Sequence, residues 1–228
     1  MSKSQETAFV EGEADRFFER NYEASISPVG GKNEVIQAIC SLEMAQSGKL
    51  IDLGGGSGRI SAAFGILYPE WDITVVDASL KSINAGKKYF KDIKFRQKSI
   101  SDPQIKEFGK FDLVILSFVL TWIDRSFLSQ VVANADSLVK DKGYIVINDF
   151  STQYNKTVPY HHLEGLLTYK QDYAKTFLGL GTFFEIYRMV TQMESDAPEK
   201  LDDYQSMRCT SILRKDLKGL YSPSKLID

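Results

Sequence analysis

Between residues 50 and 149 the chain alternates between short apolar runs and longer segments in which apolar residues recur with helical spacing. The runs Leu50-Ile51-Asp52-Leu53, Ile73-Thr74-Val75-Val76-Asp77, Phe111-Asp112-Leu113-Val114-Ile115-Leu116-Ser117 and Gly143-Tyr144-Ile145-Val146-Ile147-Asn148-Asp149 are nearly continuous in apolar character. Strands buried on both faces have that pattern. Lys94-Phe95-Arg96-Gln97-Lys98 reads as a weaker strand. Helices are expected from about Arg59 to Leu67, Leu80 to Phe90 and Phe127 to Val139. Strands alternating with helices predict a parallel sheet covered by helices on both faces.

The flanks read differently. Ala8 to Tyr22 carries Phe9, Phe17, Phe18 and Tyr22 along one helical face, as a short docking helix would. The turn cluster Ser27-Pro28-Val29-Gly30-Gly31 precedes a helix marked by Val35, Ile36, Ile39, Leu42 and Met44, which Ser47-Gly48 closes. Residues 151–182 are rich in Tyr, Lys, Thr and Gly, with helical periodicity only around Leu163 to Phe177, and read as a lid-like insertion after the fifth strand. Phe183 to Thr191 and Met207 to Leu213 read as two further strands at the sheet edge, separated by the acidic stretch Glu194 to Tyr204. The expected organisation is one domain, 1–228, with a core at 33–150, a lid or substrate segment at 151–182 and a terminal strand pair at 183–214; the tail from Leu217 to Asp228 reads as loosely tied.

Composition narrows the function. Lys+Arg 28 against Asp+Glu 30 gives a net charge of −2, which supplies no global field for a polyanion, so nucleic acid is not an expected partner. No apolar run approaches the roughly 20 residues that span a bilayer. The two cysteines, Cys40 and Cys209, have no CxxC spacing, and the first residues lack a signal peptide's apolar stretch, so a reduced, cytoplasmic chain is expected. The only two histidines, His161 and His162, are adjacent, which excludes a three-histidine metal site within one chain; no metal is expected.

The chemistry concentrates at Asp52-Leu53-Gly54-Gly55-Gly56-Ser57-Gly58-Arg59, between the first strand and a helix. A strand turning directly into a helix leaves backbone N–H groups pointing outward, and glycines let a ligand approach them. Counting G-x-G-x-x-G from Gly54 puts Arg59 where a dinucleotide site needs glycine, and Gly58-Arg59-Ile60 is not the Gly-Lys-Ser/Thr of a phosphate loop. The D-x-G-x-G-x-G spacing of Asp52, Gly54, Gly56 and Gly58 resembles the first motif of class I S-adenosylmethionine-dependent methyltransferases.

That resemblance covers residues 50–150 and implies a mostly parallel, seven-stranded Rossmann-like sheet and S-adenosyl-L-methionine as cofactor. It implies that the loop glycines pass beside the methionine part, with Asp52 near its cationic amino group. Asp77, with Ala78 beside it, would accept the ribose hydroxyls. Ser99 and Ile100 stand at the adenine position, where the family often has an acid; Asp102 is close enough in sequence to substitute. Ser117, ending the fourth strand, would lie near the reacting methyl, and Arg20, Asn21 and Tyr22 would close over the methionine end.

In open α/β sheets the site lies beyond the carboxyl ends of the strands, so 151–182 is the expected cover. Tyr154, Tyr160, Tyr169, Lys170 and Tyr173 would face the substrate there, and His161 or His162 could serve as general base, oriented by Asp149. A weaker resemblance, to bacterial methyltransferases encoded with surface-glycan genes, suggests a sugar or activated sugar as acceptor. The expected reaction is methyl transfer to O or N of a small polar molecule. Alternatives are a non-catalytic scaffold or sensor that keeps cofactor binding, and aminopropyl transfer on the same fold.

Overall fold

The computed structural model describes residues 4–152, 154–192 and 207–221, so the stretch 194–204 and the end of the tail, 222–228, lie outside the described residues. The N-terminal segment is a broken helix: α1 (Gln5–Ala8), a wider π turn (Phe9–Glu13), α2 (Ala14–Arg20) and α3 (Tyr22–Ser25). The single helix expected over Ala8 to Tyr22 is thus interrupted, because Gly12, at φ 151, takes a backbone conformation that most side chains avoid. α4 (Glu34–Cys40) follows, started by Asn33, whose side chain accepts from the Val35 and Ile36 N–H groups.

The core then runs β1 (Gly48–Leu53), α5 (Arg59–Leu67), β2 (Trp71–Asp77), α6 (Leu80–Tyr89), β3 (Ile93–Gln97), β4 (Phe111–Ser117), α7 (Leu128–Leu138) and β5 (Val139–Phe150). A separate antiparallel hairpin, β6 (Lys156–Pro159) with β7 (Leu167–Lys170), precedes α8 (Tyr173–Leu178). Finally β8 (Phe183–Gln192) and β9 (Met207–Lys215) join the main sheet, ahead of the short α9 (Leu217–Leu220). The start of the expected loose tail is held, since the Leu217 N–H donates to Asp141 and the Asp216 carboxylate pairs with Lys142.

The main sheet has seven strands in the order β3-β2-β1-β4-β5-β9-β8, and β9 alone runs opposite to the other six. The nearly continuous apolar runs are explained by burial on both faces. Ile51, Leu53, Val114, Leu116 and Ile147 pack under α7 and α8, while Leu50, Leu113, Ile115 and Val146 pack under α4 and α5. Strand order reverses between β1 and β4, which opens a crevice beyond their carboxyl ends.

The helix expected around Leu163 to Phe177 is corrected. Gly165, at φ 85, breaks the segment, and Leu167–Lys170 alternates half-buried and buried positions as the second strand of the hairpin. Only Tyr173–Leu178 is helical.

The glycine loop is held over the sheet by the packing of α6 on β3. A Cβ at Gly86 would collide with the Phe95 ring and lie 2.8 Å from the carbonyl oxygen of Ser57 in the loop. Gly86→Ala should therefore destabilise the protein by about 1–3 kcal/mol, as overpacked cores do. Chemical denaturation measures this, and an unchanged midpoint would contradict the close approach.

Candidate functional site

The loop after β1 is shaped by three positive φ angles, at Gly54 (72), Gly56 (57) and Gly58 (85). The Gly54 and Gly55 N–H groups donate to the Val76 carbonyl at 2.7 and 3.2 Å, tying the loop to the end of β2. A Cβ at Gly56 would meet nothing within 4 Å, so its backbone is open to a ligand. Gly58 does different work: a Cβ there would press on the Phe95 ring at 3.1 Å, and the residue does not line the cavity beyond the loop. Its glycine lets the helix start close to the sheet.

Two carboxylates flank this loop. Asp52 is 1% exposed; its Oδ2 accepts from Ser61 Oγ at 2.8 Å, while Oδ1 is buried without a hydrogen-bond partner. Burial, with the nearby negative charge of Asp77 added, pushes its pKa up to about 7 against the Ser61 bond. Asp77 accepts from the Gly56 N–H through Oδ2 and the Ser79 N–H through Oδ1, each at 2.8 Å, and burial raises its pKa as well. The helix N-cap is Ser79, which frees Asp77 from that role.

A cavity of about 410 Å³ opens over these groups, and Asp52, Gly54, Gly56, Asp77, Ala78, Ser99, Ile100 and Ser117 all line it. Its cover is the N-terminal segment. Glu6, Phe9, Val10, Ala14, Phe17, Phe18 and Asn21 face it, and the π turn absorbs the extra residue between Phe9 and Ala14 that keeps both on that side. The segment is anchored at several points. Gln5 bonds the Trp122 carbonyl and both backbone groups of Leu167; Asp15 accepts from Ser79 Oγ and the Lys81 N–H; Phe9 and Phe17 lean on Trp122 with centroids 5.9 and 6.3 Å away. Glu13, fully buried, takes Arg16, Arg20 and the Tyr160 hydroxyl. Burial alone would raise its pKa, but these three donors hold it below the ordinary carboxylate range.

The expectation that 151–182 covers the site is corrected, because none of its described residues lines the cavity. His161 and His162 are exposed, and His162 stacks edge-on against Tyr160. Tyr154 is 76% exposed. The Tyr160 hydroxyl is engaged by Glu13 and Arg20 and, chiefly through burial, has its pKa pushed up to about 12. Tyr169 lies under the Arg125 guanidinium, Lys170 over the Phe150 ring, and the Tyr173 hydroxyl donates to the Tyr169 carbonyl. Asp149 is 2% exposed and accepts the Thr121 and Phe150 N–H groups, tying the turn after β4 to β5; burial pushes its pKa up to about 7. The hairpin thus supports the N-terminal cover instead of forming one.

Other placements also differ. Of Arg20, Asn21 and Tyr22, only Asn21 lines the cavity, while the Tyr22 hydroxyl meets that of Tyr89 at the surface. Asp102 does not substitute at the adenine position: it pairs with Lys98 at 2.7 Å and caps the turn at Gln104. Sequence reasoning missed Glu6, Glu34, Arg59, Asn148 and Arg208, all of which line the cavity. Arg208 pairs with Glu34, and Asn148 joins Ser117 Oγ to Thr210 at 3.3 Å each. Asn148, at the carboxyl end of β5, and Arg59, directly after the glycine loop, carry a signal in the chain; Glu6, Glu34 and Arg208 come from elements remote in sequence. Among the described residues no group of His, Cys, Asp and Glu could hold a metal ion, and no helix is long and apolar enough to cross a membrane.

The family described as "Methyltransferase domain" matches residues 45–206. The chain belongs to this family, and its sheet is that of the class I, S-adenosylmethionine-dependent methyltransferases. The fold is shared with the Burkholderia thailandensis 1,6-didemethyltoxoflavin-N1-methyltransferase, solved with 1,6-didemethyltoxoflavin and S-adenosylhomocysteine, at TM-score 0.67 and 15% identity over 95% of this chain and 92% of that one. It is shared too with the N-methyltransferase NodS of Bradyrhizobium japonicum WM9, solved with S-adenosylhomocysteine, at TM-score 0.54 and 15% identity over 81% and 89%. An uncharacterized protein of Rickettsia prowazekii (strain Madrid E) is 28% identical over 107 residues, which span 45% of this chain and 43% of that relative's length.

The raised pKa of Asp52 has a definite sign. With a folded value of about 7 against the ordinary 3.8, the folded chain keeps a proton that the unfolded chain has lost, so this contribution to stability falls as pH rises through that window. Asp52→Asn should therefore gain stability relative to the parent between those two pH values and show a constant difference above. Denaturation midpoints of the two proteins across that range measure it, and a constant difference throughout would place Asp52 in a less buried setting.

Proposed function

We propose that this protein transfers a methyl group from S-adenosylmethionine, held in the cavity under the N-terminal segment, to a nitrogen or an ionised oxygen of a small, flat acceptor. The observation that carries the reading is the orphaned Oδ1 of Asp52: a buried carboxylate oxygen without a partner, beside open glycine backbone and a second carboxylate, suits a ligand with an ammonium and vicinal hydroxyls. When bound, S-adenosylmethionine supplies a methyl carbon made electrophilic by its sulfonium. Asp52 holds the amino group and Asp77 the ribose hydroxyls, the Gly54 to Gly56 backbone lies against the amino-acid part, and Ser117 and Asn148 stand at the ends of β4 and β5, where the acceptor approaches. Phe9, Phe17 and Phe18 exclude water from above, so that alignment supplies most of the rate.

The lining also bears on the acceptor. Among the described residues it contains no imidazole, amine, thiol or phenol, and its carboxylates are Glu6, Glu34, Asp52 and Asp77. Asp52 and Asp77 serve the cofactor, and Glu34 is paired with Arg208. A nucleophile that already carries a free lone pair at neutral pH, such as an unprotonated ring nitrogen, fits this lining better than a sugar hydroxyl that must lose a proton. Phe17 and Phe118 offer faces for a planar ring. The sugar reading drew on residues 151–182, which lie away from the cavity.

Asp77→Ala should weaken S-adenosylhomocysteine binding by about 1.5–3 kcal/mol through the loss of two charge-assisted hydrogen bonds, as read by calorimetry. His161→Ala and His162→Ala should leave both binding and turnover intact. A methyl-release assay on a panel of nitrogen heterocycles and sugars tests the acceptor. Turnover of sugar hydroxyls alone would overturn the acceptor class, cofactor binding without any turnover would favour a sensor, and absence of cofactor binding would sink the whole reading.

A further inference from the structure

The N-terminal segment brings a carboxylate to the end of the cavity where the core sequence provides none. Glu6 lines the cavity with Ser99 and Ile100, and its Oε1 accepts from Ser99 Oγ and Ser101 Oγ at 2.5 Å each. Its place is fixed by its neighbour. Gln5 is buried; its amide donates to the Trp122 and Leu167 carbonyls at 2.7 and 2.8 Å and accepts the Leu167 N–H at 2.9 Å. Both hydroxyls are satisfied by the one oxygen, since a carboxylate oxygen has more than one lone pair to offer. The other oxygen of Glu6 and the N–H of Ile100 have no hydrogen-bond partner among the described residues. The cavity end therefore presents one strong acceptor and one backbone donor, beside the flat faces of Phe9 and Trp122.

This pattern is the complement of the edge of adenine that carries an amino group next to a ring nitrogen: the amine donates and the nitrogen accepts. Resting on the reading that S-adenosylmethionine is the methyl donor, we propose that Glu6 reads the adenine amino group, so that the segment covering the cavity also selects the base of its ligand. Neither Ser99 nor Asp102 does so. The serine hydroxyl is spent on Glu6, and Asp102 is held by Lys98. Base selection then lies outside residues 45–206, the part of the chain that the methyltransferase family covers. Docking of the N-terminal segment and recognition of adenine become one event.

The test compares S-adenosylhomocysteine with its inosine counterpart, in which a carbonyl oxygen replaces the amine and faces the carboxylate. The parent protein should prefer the adenine ligand by at least about tenfold, because the analogue sets two acceptors against each other. Glu6→Gln keeps an oxygen for the two serines and adds an amide donor, so the preference should collapse or reverse. Asp77→Ala, by contrast, should weaken both ligands by the same factor and keep their ratio. An unchanged ratio in Glu6→Gln overturns the proposal, and so does equal loss of both ligands, which a role in docking alone would produce. If the parent binds neither ligand, the cofactor reading itself falls, a result distinct from either of those.

Discussion

Asp52 is buried and Asp77 half-buried at the carboxyl ends of adjacent strands, and among the described residues neither is paired with a cation. Asp52 keeps one oxygen unpartnered, and the negative charge of Asp77 adds to the cost of ionising it. A protein core normally pairs or neutralises such groups. Here the glycine loop is bound to one of them through the Gly56 N–H and clamped to the end of β2, so the carboxylates cannot be moved apart without undoing the strand-to-helix turn. On the proposed reading, a ligand that supplies positive charge and hydroxyl donors would offset that cost. The rest of the site follows from keeping that place open to a ligand and closed to bulk water.

Closing it is the task of residues 5–25, and they do so with little packing of their own. The segment contributes short helical pieces joined by a π turn, and its hold on the body comes from side chains: Gln5 on the hairpin, Glu13 with Arg20 and Tyr160, Asp15 at the start of α6, and Phe9 and Phe17 on Trp122. Most of these contacts are polar and made by single side chains. Such contacts break at lower free energy than an apolar core, which suits an element that must admit a ligand. The hairpin of β6 and β7 and the buried Asp149 brace the partners of this cover from behind. Residues 151–182 therefore matter to the site at one remove.

The sheet was legible because burial on both faces leaves a direct trace in composition: the runs at 50–53, 73–77, 111–117 and 143–149 could hardly be anything but central parallel strands. The glycine loop was legible because its positive φ angles and open backbone demand glycine at particular spacings. Asp77 could be assigned beside it because Ser79 was available as the helix cap. The cover was misassigned for an equally physical reason. Tyr, His and Lys suit a ligand site and a polar brace alike, and residue type does not distinguish them. The hairpin was misread as helical because Leu163 to Phe177 has approximate helical spacing that the turn at Gly165 and the pairing with β6 override.

The amino-acid sequence by itself determined the strand order's raw material, the position of the glycine loop and the two carboxylates beside it, since each depends on local backbone geometry or on burial of a contiguous run. Only the tertiary structure decided which remote segment lies over them. That choice depends on hydrogen bonds spanning more than a hundred residues, such as Gln5 to Leu167 and Glu13 to Tyr160, whose partners carry no mark of one another along the chain. Glu6 is the clearest case: an ordinary acid near the start of the chain, it becomes part of the site because Gln5 beside it is fastened to the hairpin and two serines after β3 are there to receive it.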